Sequence, residues 1–419
     1  MQLITNFSSS SSELQFLVDK VKRESLSSSS SNTQNLFLST SPYDTAWLAL
    51  IPHPHHHHHH DHGRPMFEKC LQWILHNQTP QGFWAAAGDN ISDTDDDVTL
   101  DCLLSTLACL VALKRWQLAP DMIHKGLEFV HRNTERLVMK QKPSDVPRWF
   151  TIMFPAMLEL AGASSLRVDF SENLNRILVE LSQNRDDILT REEVDEKKQY
   201  SPLLLFLEAL PAQSYDNDVL KQIIDKNLSN DGSLLQSPSA TARAYMITGN
   251  TRCLSYLHSL TNSCSNGGVP SFYPVDDDLH DLVMVNQLTR SGLTEHLIPE
   301  IDHLLLKVQK NYKYKKASPK SLYSIAAELY RDSLAFWLLR VNNHWVSPSI
   351  FCWFLDDDEI RDHIETNYEE FAAVLLNVYR ATDLMFSGEV QLVEARSFAT
   401  KNLEKILATG NIHKTNADI

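Results

Sequence analysis

Apolar residues recur every three to four positions through most of this 419-residue chain, and that period commits it to helices. Ile325, Leu329, Phe336 and Leu339 fall on one helical face, as do Phe371, Val374, Leu375 and Val378. Leu392, Ala395, Ala399, Leu403 and Ile406 mark another helix, with Gly410 as its stop. Runs that alternate apolar and polar residues, the pattern of a half-buried strand, are absent. With 12 glycines and 43% hydrophobic residues, the chain can bury large cores with few turn-rich stretches. The expectation is an all-α protein of short-looped helices, built as a bundle or as α/α barrels, with length for two or three domains.

The net charge of −15 argues against nucleic acid as a partner, because no basic surface offsets phosphate repulsion. An anionic substrate such as a diphosphate would need local cations or bound metal to approach so acidic a chain. The six cysteines (70, 102, 109, 253, 264 and 352) form no CxxC pair and sit among apolar residues, which suits reduced core thiols in an intracellular protein. The longest near-apolar run, 103–113, holds 11 residues, against the roughly 20 of a bilayer span, so no transmembrane segment is expected. Serine runs at 8–12 and 27–31 faintly suggest a plastid leader. Residues 13–24, however, already read as an amphipathic helix carrying Leu14, Leu17 and Val18 on one side. A short N-terminus with no cleaved leader is expected, and a cytoplasmic location, with the plastid as alternative. The low-complexity stretch 53–62, with His55 to His60 in one run, reads as a loop between helices. Loose chelation is conceivable there, but nothing in the stretch fixes ligand geometry.

Residues 41–47 read S-P-Y-D-T-A-W. Ser41-Pro42 is a helix start, with Pro42 preset for the first turn, and Trp47 and residues 48–51 supply bulk for a buried helix. Residues 78–84 read Q-T-P-Q-G-F-W, a QxxxGxW pattern. Gln can bind free backbone groups at a helix end, Gly allows the turn, and Trp packs on neighbouring helices. Other segments follow in order: F-E-K-C-L-Q-W-I-L-H-N-Q at 67–78, S-T-L-A-C-L-V-A-L-K-R-W at 105–116 and D-G-S-L-L-Q-S-P-S-A-T-A-R-A at 231–244. F-Y-P-V-D at 272–276, L-Y-R-D-S-L-A-F-W-L-L-R at 329–340 and L-N-V-Y-R-A-T-D-L-M-F-S-G-E at 376–389 complete the series. Together they resemble the plant terpene synthases, in the kaurene-synthase-like branch of diterpene synthases and nearest the geranyllinalool synthases. The resemblance is collinear over 13–410.

The resemblance implies two α-barrel domains, a γ domain inserted into a β domain. Residues 1–65 would hold a tail and the first part of β, 66–275 the γ domain and 276–410 the remainder of β, with 411–419 a divergent tail. It further implies a C-terminal class I α domain that binds Mg2+ and ionises geranylgeranyl diphosphate, water capture then giving an acyclic tertiary alcohol. No segment of this sequence corresponds to that domain. The chain is therefore expected to be inactive alone, with no catalytic or cofactor-binding residues, and either to pair with a synthase α domain or a full-length synthase, or to be a truncated remnant.

Three carboxylate clusters imitate the family's chemistry. Metal-dependent members hold Mg2+ with a DDxxD helix and a second N/D-S/T-E motif, and the ions neutralise the leaving diphosphate. Asp277, Asp278 and Asp281 make a literal DDxxD and are the candidate metal ligands, since on a helix Asp277 and Asp281 share a face. No complete second motif accompanies them; the nearest approach, 186–190 with Glu193, misses by one residue, so a solvated acidic helix start is the preferred reading. Protonating members use a buried DxDD acid. Residues 93–96 match DxDD literally but lie in a polar loop, while the family position of that acid aligns with Glu328-Leu329-Tyr330-Arg331. Residues 356–359, with Asp362, read as a charged helix start.

Overall fold

The computed structural model describes residues 15–16, 18–20, 22, 39–53, 64–86, 98–139, 146–191, 202–211, 217–274, 277–314, 325–366, 368 and 371–409. The histidine run, the DxDD stretch at 93–96, both serine runs, Gly410 and the 411–419 tail lie outside them. The described residues are helical, and their β pairing is confined to three isolated bridges. The chain divides into two compact units, Asn35–Pro274, and Met1–Gln34 with Val275–Ile419.

In the 35–274 unit, helices α1 (Pro42–Ala49), α2 (Glu68–His76), α3 (Leu100–Arg115), α4 (Pro120–Met139), α5 (Arg148–Ala163), α6 (Glu172–Arg191), α7 (Asn217–Asn227), α8 (Pro238–Thr248) and α9 (Thr251–Ser263) are joined by a 3-10 segment, Pro202–Ala209. Its inner elements close a ring: α1 packs on α3, α3 on α5, α5 on the 3-10 segment, that segment on α8, and α8 back on α1. The remaining helices lie outside, α4 against α3, α6 against α5 and α9 against α8. The sequence dictates which helix goes where. Every residue of α3 from Cys102 to Leu113 is buried, as befits a helix apolar all round. The apolar run 103–113 is thus the heart of this unit's core. By contrast α4 buries one stripe, Gly126, Phe129, Val130, Asn133, Thr134, Leu137 and Val138, and shows its other face to water.

Two sequence devices fix the ring. Ser41 and Ser237 cap α1 and α8, each accepting from a backbone N–H three residues on, with proline at the first helical position. Three turns repeat one geometry: Gly82, Gly232 and Gly267 have φ of +97°, +89° and +86°, and a Cβ on any of them would lie within 2.6 Å of the carbonyl oxygen of Lys125, Arg252 or Lys69 respectively. Only glycine meets both demands. Within the QxxxGxW stretch, Gln78 Nε2 donates to Gly82 O and Met122 O, both at 2.9 Å, and the fully buried Trp84 donates to Ile74 O at 2.9 Å.

Residues 39–53 and 64–65, read from the sequence as the first part of β, belong to this same unit. Their backbone explains it, since Ser41 N donates to Val269 O at 2.8 Å and Met66 N to Ile51 O at 2.8 Å.

The second unit contains α10 (Asp277–Arg290), α11 (Ile298–Tyr314), α12 (Ile325–Val341), α13 (Asp358–Thr366), α14 (Ala372–Thr382) and α15 (Val390–Thr409), with short 3-10 turns over 348–355. Helix α12 packs on α10, α11 and α14, and α14 on α15. The apolar faces read from the sequence are the buried ones: Ile325, Leu329, Phe336, Leu339, Val378, Leu392, Ala395 and Ala399 are each fully enclosed. Val18, from the N-terminal segment, is buried in this core, and Lys22 pairs with Glu300 at 2.9 Å. Arg340 joins the ends of two helices: it pairs with Glu389, donates to Leu384 O at 2.7 Å and Val346 O at 3.0 Å, and lies over the rings of Phe336 and Phe386 at 4.2 and 4.7 Å.

All six cysteines are buried free thiols. Burial pushes Cys253 up to about 11 and Cys352 to about 12, so they are packing residues, not nucleophiles. No described helix is long and apolar enough to cross a membrane.

Candidate functional site

The DDxxD stretch forms the first turns of α10, as its spacing predicts. Two of its carboxylates are already engaged. Asp278 accepts from Asn311 Nδ2 at 2.8 Å. Asp281, buried rather than solvated, takes Lys307 Nζ at 2.7 Å and has His280 Nδ1 at 3.6 Å. Burial by itself would raise the pKa of Asp281; the hydrogen bonds from His280 and Lys307 outweigh it and hold the carboxyl below its ordinary value. A lysine ammonium thus stands where a Mg2+ ion would have to stand. Among the described residues no group of three or more His, Cys, Asp or Glu is placed to hold a metal ion, and the engaged carboxylates of Asp278 and Asp281 do not fit one; the Asp277 side chain lies outside the described ones.

The cluster at 356–362 is structural in geometry, while 93–96 lies outside the described residues. Asp357 caps α13, accepting from Glu359 N at 3.0 Å and Ile360 N at 3.3 Å, and Asp358 pairs with Arg361. At the position where the family's protonating acid would stand, Arg331 and the following Asp332 are buried together. Asp332 accepts from Tyr312 Oη at 2.5 Å, Arg331 Nε at 2.9 Å and Trp353 Nε1 at 3.1 Å, so three donors from three elements hold this carboxylate in a structural cluster.

The unit at 35–274 contains a different arrangement, a cavity of about 1040 Å3 lined from α1, the stretch from the end of α3 into α4, α5, the 3-10 segment and α8. It is assembled around the S-P-Y-D-T-A-W helix. Ser41 Oγ donates to Asp44 Oδ2 at 2.6 Å, and Ser239 N donates to Asp44 Oδ1 at 2.9 Å. Thr45 Oγ1 donates to Ser41 O and accepts from Val269 N at 3.0 Å. Tyr43 Oη donates to Glu208 Oε1 at 3.3 Å. Trp47 faces the cavity beside Glu208 and Arg243.

This cluster is electrostatically unusual. Burial raises Asp44 to about 6 and, with the nearby Asp44 charge adding to it, Glu208 to about 7. Burial lowers the pKa of Arg243, with Glu208 opposing. Oε2 of Glu208, Nε of Arg243 and Nε1 of Trp47 are all buried without a partner in hydrogen-bond geometry, although Ser239 and Tyr43 lie near the first and the last. Near neutral pH the floor can therefore offer or take a proton at Glu208 and still has donors and an acceptor to fill. The sequence reading singled out neither Glu208 nor Arg243. A lone acid inside the apolar run L-L-L-F-L-E-A-L at 203–210 was the available signal, since a carboxylate there must be buried with partners.

Residues 221–419 match the model of the terpene synthase N-terminal domain. The whole chain is 99% identical to S-linalool synthase of Clarkia breweri, covering 48% of that protein. Over 96% of its length it is 40% identical to (E,E)-geranyllinalool synthase of Arabidopsis thaliana, covering 46%. Abietadiene synthase from Abies grandis shares the fold with a TM-score of 0.73 and 26% identity, over 95% of this chain and 49% of that one. The chain thus spans about half the length of the relatives it matches. Residues 221–419 thus belong to the terpene synthase N-terminal domain family, and in sequence and in fold the chain as a whole is similar to plant terpene synthases.

Proposed function

We propose that this chain supplies the γ and β helical domains of a synthase that makes an acyclic terpene alcohol, and does not itself ionise the substrate. The observation that carries this reading is the closed state of the DDxxD stretch, where Lys307 occupies Asp281 at 2.7 Å and Asn311 occupies Asp278. The metal-dependent ionisation of a prenyl diphosphate then belongs to the part of the relatives that this chain does not match. Linalool is the product we favour, because identity with the linalool synthase far exceeds that with the geranyllinalool synthase; the substrate is accordingly a C10 prenyl diphosphate, with the C20 compound as alternative. The division into two compact units supports reading 35–274 as γ, and 1–34 with 275–419 as β. The buried free thiols suit a cytoplasmic setting.

The test is incubation of the purified 419-residue chain with geranyl or geranylgeranyl diphosphate and Mg2+, followed by gas chromatography of the alcohols. The expected result is no product above a protein-free control, and recovery of linalool formation when the unmatched half of the Clarkia breweri enzyme is supplied in trans. Mg2+-dependent turnover by the chain alone, lost in Asp277→Asn or Asp281→Asn, would overturn the assignment.

A further inference from the structure

The proposed function gives the cavity in the 35–274 unit no part in ionisation, yet the cavity has the features of a ligand site. Its volume of about 1040 Å3 reaches the upper end of small-molecule pockets. Leu50, Val111, Leu160 and Met246 give it apolar walls. Glu208 and Trp47, 8% and 4% exposed, form its floor, and Arg243 stands half-buried between floor and mouth. At the exposed mouth are Lys114 and Arg115, from the last turn of α3.

The charges are unevenly matched. Glu159, the other acid on the wall, is already paired with Arg185 at 2.8 Å, which leaves Glu208, with the buried Asp44 carboxyl behind it, to face three cations. In a chain of net charge −15 that concentration of cations draws in an anion. The floor holds a donor without a partner, Arg243 Nε, and an acceptor outside hydrogen-bond geometry, Glu208 Oε2, with Ser239 near it.

We propose that this cavity binds a monoanionic amphiphile, a carboxylate on an apolar chain, its head between Arg243 and Glu208 and its chain along Trp47, Leu160 and Met246. One carboxylate fits where a diphosphate does not. A single guanidinium can hold it through two parallel hydrogen bonds, and protonated Glu208 can donate to it. A polyanion would leave buried charge unpaired against Glu208.

Binding needs no turnover, so it is measured independently of synthase activity. The experiment is calorimetric titration of the purified 419-residue chain with decanoate, with 1-decanol and metal-free geranyl diphosphate as comparators. One decanoate per chain is expected at about pH 6.5, bound about tenfold more tightly than either comparator, the increment of one charge-assisted hydrogen bond. Affinity falls roughly tenfold by about pH 8.5 as Glu208 ionises. Arg243→Gln reduces decanoate affinity about tenfold or more and leaves 1-decanol unaffected. Because Arg243 is half-buried, the exposed pair Lys114→Glu and Arg115→Glu serves as a second variant, expected to slow association severalfold with an unchanged melting temperature. Absence of saturable decanoate binding, equal or tighter binding of 1-decanol or the diphosphate, or full decanoate affinity in a folded Arg243→Gln protein would each overturn the proposal.

Discussion

Replacing Glu208 with Gln isolates the energetic consequence of a carboxyl group sealed in a helical core. Burial, reinforced by the Asp44 charge, raises its pKa from 4.5 to about 7. At roughly 1.4 kcal/mol per unit, full ionisation in the folded chain costs about 3 kcal/mol relative to the unfolded one. Between about pH 4.5 and pH 7 the folded chain therefore binds more protons than the unfolded chain, and its stability falls as pH rises. The penalty is absent below the unfolded pKa and complete once pH exceeds the folded pKa. Gln keeps the shape and can still accept from Tyr43 Oη, now 3.3 Å from Oε1. Asp44, raised from 3.8 to about 6, acts with the same sign in both proteins, and the variant also relieves its repulsion with Glu208, which adds to the difference in the same direction. Urea denaturation followed by far-ultraviolet circular dichroism, run from about pH 5 to pH 8, reads the effect. The variant should match the wild type near pH 5 and exceed it by about 3 kcal/mol near pH 8. Parallel stability curves for the two proteins across that range would refute the placement of a buried, weakly compensated carboxyl at this position.

Two further substitutions probe the scaffold. Gly232→Ala meets both a positive φ and the Arg252 carbonyl oxygen at 2.3 Å, whereas Gly249→Ala in the same unit meets a positive φ with nothing within 4 Å. The latter should lose about 1 kcal/mol and the former about 2 kcal/mol more from the clash, as read from urea midpoints; equal losses would mean that the turn does not abut α9. Arg340→Lys keeps the charge but loses the paired hydrogen bonds to Glu389 and the stack over Phe336 and Phe386. A loss of about 3 kcal/mol in thermal unfolding is expected, and a loss below about 1 kcal/mol would show that charge alone suffices there.

Local signals in the sequence were enough for the helices and their faces. Ile325, Leu329, Phe336 and Leu339 share a stripe because 3.6-residue periodicity is a property of neighbouring positions, and all four are enclosed. The cap at Ser41-Pro42 and the turn at Gly82 were legible for the same reason. Partners distant in the chain were not. The spacing of Asp277 and Asp281 told of a shared face, but Lys307, 26 residues away, decides what that face can bind. Asp44 lies in the first turn of α1 beside its local partner Ser41, but its second anchor, Ser239, lies 195 residues along. The cavity was illegible because five separate segments line it, and no single stretch carries its pattern.

The segments that resemble the family share a physical role that bears on what the resemblance can show. S-P-Y-D-T-A-W ties α1 to residues 208, 239 and 269. The QxxxGxW turn ties the end of α2 to α4 through Gln78 and Met122. The segment ending in Arg340 and the one ending in Glu389 meet in a salt bridge between those two residues. Each is a joint between elements far apart in sequence, and none presents a free nucleophile or a metal-ready carboxylate pair. Such joints constrain residue identity tightly because glycine, a capping serine or a bidentate arginine admits few substitutes. They therefore report the architecture, and they would persist in chains that differ in every residue facing a ligand. What distinguishes one member chemically must be sought where side chains line space instead of closing it, and in the 35–274 unit that place is the wall carrying Trp47, Glu208 and Arg243.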